Sequence, residues 1–161
     1  MASFKKQRLT THPQDDFVLF IIGMRINSYW KIWEWLPVFL SMPKMLKELY
    51  KNSDLGFMNG QYHFGIRYVW ILQWWKSFEH LESYAHSKNH NHLPAWKTFN
   101  EKAGRTGSVG IWHETYKVGR YDSETMYINM KPKGLGAAIG AVPVESKYNT
   151  ARSRIQKTEV R

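Results

Sequence analysis

Residues 16–27, DFVLFIIGMRIN, carry apolar side chains at both parities: Phe17, Leu19 and Ile21 alternate with Val18, Phe20, Ile22 and Met24. Neighbouring side chains of a strand point to opposite faces, so a strand here is apolar on both. Residues 55–63 and 66–75 read as two more strands. The second sets Ile66, Tyr68, Trp70, Leu72 and Trp74 against Val69, Ile71 and Trp75. Their turn falls at Asn59-Gly60 or at Phe64-Gly65. SVGIWHETYKV (108–118) is the next strand, and ETMYINM (124–130) is expected to pair with it across GRYD as a hairpin.

Helical spacing fills the intervals. In SYWKIWEWLPVFLSMPKMLKELYKN, Trp35, Phe39, Leu46, Leu49 and Tyr50 are compatible with one face. Pro37 and Pro43 are expected to bend or split that helix, with Pro43 opening its second part. Ser77 is a candidate cap for a second helix, with Phe78, Leu81 and Ala85 on one side. SKNHNH interrupts it, and a helix resumes over 93–103 with Pro94 in its first turn. The order β-α-β-β-α-β-β predicts an α+β, ferredoxin-like (split βαβ) protomer with an extra strand. Residues 1–14 read as a flexible arm, 15–140 as the domain, and 141–161 as a mobile basic tail.

An antiparallel sheet with one wet face alternates apolar and polar residues. These strands do not, and the helices cover one face only. A second copy of the same sheet is the simplest cover for the other, since twofold dimers are the commonest oligomer. A homodimer with sheets packed face to face is therefore expected.

Composition narrows the chemistry. There is no cysteine, which excludes disulfides, thiolate nucleophiles and cysteine-based zinc sites. The net charge of +10 fits a nucleic-acid or anionic-membrane partner, but much of it sits at the ends, from Lys5 to Arg8 and from Lys147 to Arg161. The middle has no Lys/Arg-rich helix face and no RNA-binding motif, so solvated tails are the simpler reading and no nucleic-acid partner is expected. FVLFIIGM is too short to span a bilayer and Arg25 follows it. The first residues lack the apolar run of a secretory signal, so a cytoplasmic protein is expected.

Candidate site residues follow from the faces. His113-Glu114 resembles the start of a zinc-protease HExxH motif, but position 117 is lysine and the segment is a strand. The two side chains cannot share a pocket. His113 lies with the smaller Val109, Ile111 and Thr115, and is expected to face a ligand. Glu114 lies with Trp112 and Tyr116, and is expected to be structural, paired with a cation such as Arg25. His86, His90 and His92 surround the helix break; His86 and His90 read as exposed loop histidines. His92, Trp96 and Phe99 fall on one helical face, where a histidine is either a satisfied core residue or an acid/base. Arg25 and Asn27 share a face at the end of the first strand. Trp74 and Trp75 close the third, where a flat apolar ligand can stack. No metal-ligand pattern, phosphate loop, dinucleotide fingerprint or Ser-His-Asp order is present; GLGAAIG lacks the βαβ setting.

FIIGMRIN, WWKSFEHLESYAHSKNHNHLPAW, VGIWHETY, YINM and GLG, in that order and spacing, resemble the DUF4188, or fumagillin-pathway monooxygenase-like, family over about residues 16–138. That family is related to antibiotic-biosynthesis-monooxygenase-type dimeric α+β barrels. The resemblance implies a pocket between sheet and helices and an activity drawn from cofactor-free monooxygenases, haem-degrading enzymes, haem-dependent aldoxime dehydratases or isomerases. It also matches Asn27, Trp75 and either His86 or His92 loosely to the haem-degrading members.

The expected function is a monooxygenase-like enzyme acting on an apolar aromatic or polycyclic molecule. In this reading Trp74, Trp75, Trp96 and Trp112 hold the substrate, His92 or His113 removes a proton, and Arg25 and Asn27 steady the negative charge. The cofactor is none or haem, with His92 or His113 as the iron ligand in the haem case. A non-catalytic dimeric ligand-binding barrel is the third reading.

Overall fold

The structure is a computed structural model describing residues 7–87, 97, 99–101 and 105–156. Four strands make the main sheet: β2 (Phe17–Ile26), β3 (Phe57–Phe64), β4 (Tyr68–Trp75) and β5 (Val109–Val118). Helix α1 (Ile32–Lys51) joins β2 to β3, and α2 (Phe78–His86) follows β4. A short strand β1 (Arg8–Thr10) precedes them. After β5 come β6 (Tyr127–Ile128), α3 (Leu135–Ile139), β7 (Val142–Pro143) and α4 (Ala151–Gln156). The main sheet has the order β3-β4-β2-β5 with antiparallel pairs throughout. β2 and β3 are thus parallel with β4 between them, the split βαβ of a ferredoxin-like α+β fold.

Of the two possible turns, the chain uses Phe64-Gly65. The Gly65 N–H donates to the Tyr68 carbonyl at 2.8 Å. Asn59-Gly60 instead lies inside β3, beside an irregularity between Phe57 and Asn59. A Cβ at Gly60 would meet the Phe57 ring at 3.0 Å and Leu46 at 3.3 Å, so glycine lets α1 sit close on the strand. α1 is one continuous helix through Pro37 and Pro43, so of the expected bend or split the split does not occur. Each proline removes one N–H, but Val38, Met45, Leu46 and Leu49 are buried on the inner face and hold the turns together. Ser77 caps α2, its side chain accepting from the His80 N–H.

Alternation divides the sheet as the pattern of residues requires. Val18, Phe20, Ile22, Ile71 and Trp75 face the helices, where they form a core with Leu46, Leu49, Phe57, Leu81 and Tyr84. Phe17, Leu19, Leu72 and Trp74 face the other way.

Three further expectations differ from the structure. The segment 124–130 does not form a hairpin with β5. β6 pairs with β1, and β1 with β7, in a separate three-stranded sheet. The Arg120 N–H donates to Asp16 Oδ1 at 2.9 Å, which carries the chain leaving β5 back towards the start of β2 and away from a return along β5. Secondly, described parts of the expected arm and tail carry secondary structure: Arg8–Thr10 is a strand inside the arm, and β7 and α4 lie inside the tail. Thirdly, the chain supplies some cover for the second face itself. Leu135, Ala138 and Ile139 pack against Phe17, Leu19, Leu72 and Trp74, because the small residues of GLGAAIG let α3 lie flat on the sheet.

Candidate functional site

α1 and α2 cross the sheet without filling the space beneath them, and a cavity of about 520 Å³ remains. β2 contributes Phe20, Ile22 and Met24 to its wall, β4 Val69 and Ile71, and β5 Ile111, His113 and Thr115. The opposite wall comes from α1, through Val38, Phe39, Met42 and Met45 at helical spacing. Three methionines among these make the wall adaptable, since an unbranched thioether fills irregular space.

Polar groups are few. α2 presents Glu82 and His86, one turn apart on one face. His86 Nδ1 lies 3.0 Å from the Glu82 backbone carbonyl. A carbonyl only accepts, so that nitrogen carries the proton and Nε2 is the basic one. His113 comes from the sheet wall, with its ring 5.9 Å from that of Phe20. It is also solvent-exposed, so a proton it takes up can leave to water. The Ser41 hydroxyl is engaged, donating to the Val38 carbonyl at 2.6 Å. Tyr62 lines the cavity with its ring, while its hydroxyl is buried and makes no hydrogen bond among the described residues. Burial, and then the neighbouring Tyr50, push that phenol above its ordinary value and keep it neutral. Among the described residues the wall has no lysine or arginine, and no three His, Asp or Glu side chains cluster as a metal site would require.

His113 faces the cavity and Glu114 the opposite side of the sheet. Glu114 does not pair with Arg25. It accepts a 2.6 Å hydrogen bond from the Tyr116 hydroxyl, and that bond, reinforced by the carboxylate charge, holds the phenol above its ordinary value.

Arg25 and Asn27 are not brought to the cavity. They share parity with Gly23, whose cross-strand partner is Trp112, and a Cβ at Gly23 would stand 2.6 Å from the Trp112 indole. That contact fixes Arg25, Asn27 and Trp112 on the far face. Arg25 donates through Nε to the Tyr68 hydroxyl at 2.9 Å and through Nη1 to Asn27 Oδ1. Asn27 Nδ2 in turn donates to the Gly107 carbonyl at 2.9 Å, which ties the segment before β5 to the end of β2.

The tryptophans also part company. Neighbours on a strand cannot share a face. Trp74 is buried beneath α3 on the far side. Trp75 is on the helix side but only 1% exposed, its indole N–H held by Gln73 Oε1 at 2.9 Å, and it packs in the core outside the cavity wall. Trp74, Trp75 and Trp112 therefore do not bind a ligand in this cavity. His92 and Trp96, with His90, lie outside the described residues. His86 and Glu82, by contrast, belong to the wall although the sequence marks His86 as a loop histidine. The signal was present in the 3–4 spacing of Phe78, Leu81, Glu82, Ala85 and His86, which puts the exposed His86 on the cavity side of α2 together with the buried Leu81.

Residues 17–135 match the family described as monooxygenase af470-like. No curated protein matches the chain in sequence. Among solved structures, an aldoxime dehydratase crystallised with butyraldoxime is similar at a TM-score of 0.64 and 18% identity, over 78% of this chain and 38% of its own. A second aldoxime dehydratase gives 0.64 and 19%, over 78% and 39%. The chain thus spans under two fifths of either. SnoaB, a cofactor-independent oxygenase from Streptomyces nogalater, is similar at 0.46 and 9% identity, over 63% of this chain and 91% of its own. At such identities the likeness to the dehydratases is one of fold.

Proposed function

The chain belongs to the monooxygenase af470-like family, and from that premise we propose that it is an oxygenating enzyme for an apolar aromatic or polycyclic molecule held between sheet and helices. The observation that supports this most is the cavity of about 520 Å³, apolar over most of its wall and carrying one exposed histidine from the sheet. Its volume falls in the range of small-molecule sites, which combine apolar walls with a few placed polar groups.

In this reading His113 is the general base. It takes a proton from a carbon flanked by aromatic rings or a carbonyl and leaves a delocalised carbanion. Dioxygen accepts the electrons and bonds to that carbon, and the peroxide collapses to a carbonyl with loss of water. Substrate and dioxygen alone balance the step. Thr115, two residues along the same strand face, is placed to orient the oxygen-bearing group. Arg25 and Asn27 take no part.

The haem reading rests on His86 and His113, which offer imidazoles from opposite walls. The rest of the described wall does not fit haem: it offers the carboxylate of Glu82 and no cation to meet the propionates. We derive no step through that group.

The same proposal includes a homodimer. Beyond the reach of α3 the far face carries Ile21, Trp70, Trp112 and Tyr116, none of them buried in the single chain, and a second sheet is the cover that suits them.

The test is oxygen uptake with anthrone, which forms anthraquinone and water, monitored by absorbance alongside a hemin titration. Uptake by wild type that falls about a hundredfold or more in His113→Ala, with unchanged folding, is the expected result. No turnover across a panel of acidic polycyclic substrates supports the non-catalytic reading. A Soret shift on adding hemin, lost in His86→Ala or His113→Ala, supports the haem reading.

A further inference from the structure

Three connections meet at one end of the main sheet. The Tyr29 hydroxyl donates to the Ile66 carbonyl, and the Ile26 N–H to the Arg67 carbonyl at 2.8 Å. These bonds join the start of α1 to the β3–β4 turn. The Asn27 N–H donates to the Ser108 carbonyl at 2.9 Å and brings in the segment before β5. The result is one surface, not three independent loops.

That surface presents large apolar side chains to solvent. Trp30 is 89% exposed, Ile66 92% and Trp33 68%, with Ile32 between the tryptophans at 51%. Scattered exposed apolar residues are ordinary, but this many bulky ones on a tied surface mark an interaction site. The outer face of α1 extends it through Leu36 and Leu40, at the 3–4 spacing that follows Trp33. The same row then turns basic, with Lys44, Lys47 and Lys51 exposed. Arg67 is exposed at the turn, its guanidinium 5.1 Å above the Tyr29 ring. Lys31 lies between Trp30 and Ile32, 3.5 Å from Glu34. Glu34 is withdrawn: its side chain is 13% exposed, and hydrogen bonds from Ser108 and Thr106 hold its carboxyl below the ordinary value.

Bulky tryptophans and an isoleucine bordered by lysine and arginine match the chemistry of a membrane interface. Indole rings sit at headgroup level, and cations contact lipid phosphates. Among the described residues no helix is long and apolar enough to cross a membrane, so the contact is peripheral. We propose that this end of the molecule, together with the outer face of α1, docks on an anionic phospholipid surface. Trp30, Trp33 and Ile66 enter the boundary between headgroups and acyl chains, and Lys31, Arg67, Lys44 and Lys47 meet the phosphates. The inference is independent of the reaction assigned to the cavity.

The experiment is flotation of the full chain with phosphatidylcholine vesicles containing about 30% phosphatidylserine, against phosphatidylcholine alone. Binding to the anionic vesicles, weakened by added salt, is expected. The variant Trp30→Ser/Trp33→Ser/Ile66→Ser, checked for folding by circular dichroism, should bind about tenfold less or worse. Lys44→Glu/Lys47→Glu should weaken binding and flatten its salt dependence. No flotation with either vesicle overturns the proposal, as does equal flotation with both. A triple variant that floats like wild type assigns the binding to the basic ends of the chain instead. A triple variant that turns a dimer into a monomer in light scattering assigns the patch to a second copy.

Discussion

Tyr84 illustrates how a single buried hydroxyl couples stability to pH. It projects from α2 into the core, where its phenol donates to Glu48 Oε2 at 3.0 Å. Burial first, and then that bond and the Glu48 charge, push its pKa far above the ordinary 10.0. In the unfolded chain the phenol ionises near that ordinary value, while in the folded chain it keeps its proton. The stabilisation is therefore complete below about pH 10 and is lost progressively as the pH rises towards the folded value. Thermal melting followed from neutral pH upwards should show an alkaline fall that Tyr84→Phe makes shallower. The same substitution should cost about 1 kcal/mol at neutral pH.

At the scale of elements, Arg154 ties the last helix to the chain before it. Arg154 of α4 is 7% exposed and donates through Nε to Glu124 Oε2 at 2.7 Å. Its Nη1 donates to the Tyr148 and Asn149 carbonyls at 3.2 and 3.0 Å. These bonds explain why a stretch whose composition reads as a basic tail is folded. Arg154→Ala leaves the Glu124 carboxylate and two carbonyls without their donor. Glu124 keeps some solvent contact, so the expected loss is about 1–3 kcal/mol, below that of a fully buried pair. Hydrogen exchange should accelerate over 142–156 while the amides of β2 and β4 keep their protection. Equal acceleration in both regions would mean that α4 is integral to the main fold.

At the scale of the molecule, the proposed dimer depends on the part of the far face that α3 leaves open. Tyr116 stands there on the edge strand β5, exposed in the single chain and bonded to Glu114. Tyr116→Lys places a charge in the proposed interface without touching the helix-side core. Multi-angle light scattering should then report a monomer where wild type gives a dimer, and the ligand affinity of the cavity should be little changed. A wild-type monomer at micromolar concentration would remove the dimer from the proposal. The lipid-facing patch lies at the end of the sheet and along α1, so its variants should leave this assembly intact.

The sequence by itself determined what depends on neighbours along the chain. Alternation of Val18 with Leu19 and of Ile71 with Leu72 made the strands and their two apolar faces legible, and the order of elements made the α+β class legible. It also separated His113 from Glu114, because parity along a strand is a local property. Tertiary structure decided everything that depends on which strand lies beside which. Parity groups Arg25 with Asn27 but does not say that their face is Trp112's, opposite the cavity; the register of β2 against β5 does. Trp75 has the right parity for the cavity yet lies deep in the core, since its place along β4 sets it among Phe57, Leu81 and Tyr84. β6 reaches β1 across more than a hundred residues, a pairing with no short-range signal. His86 enters the cavity wall only because α2 keeps its helical turn to that residue and encloses one cavity with residues of β2 and β5.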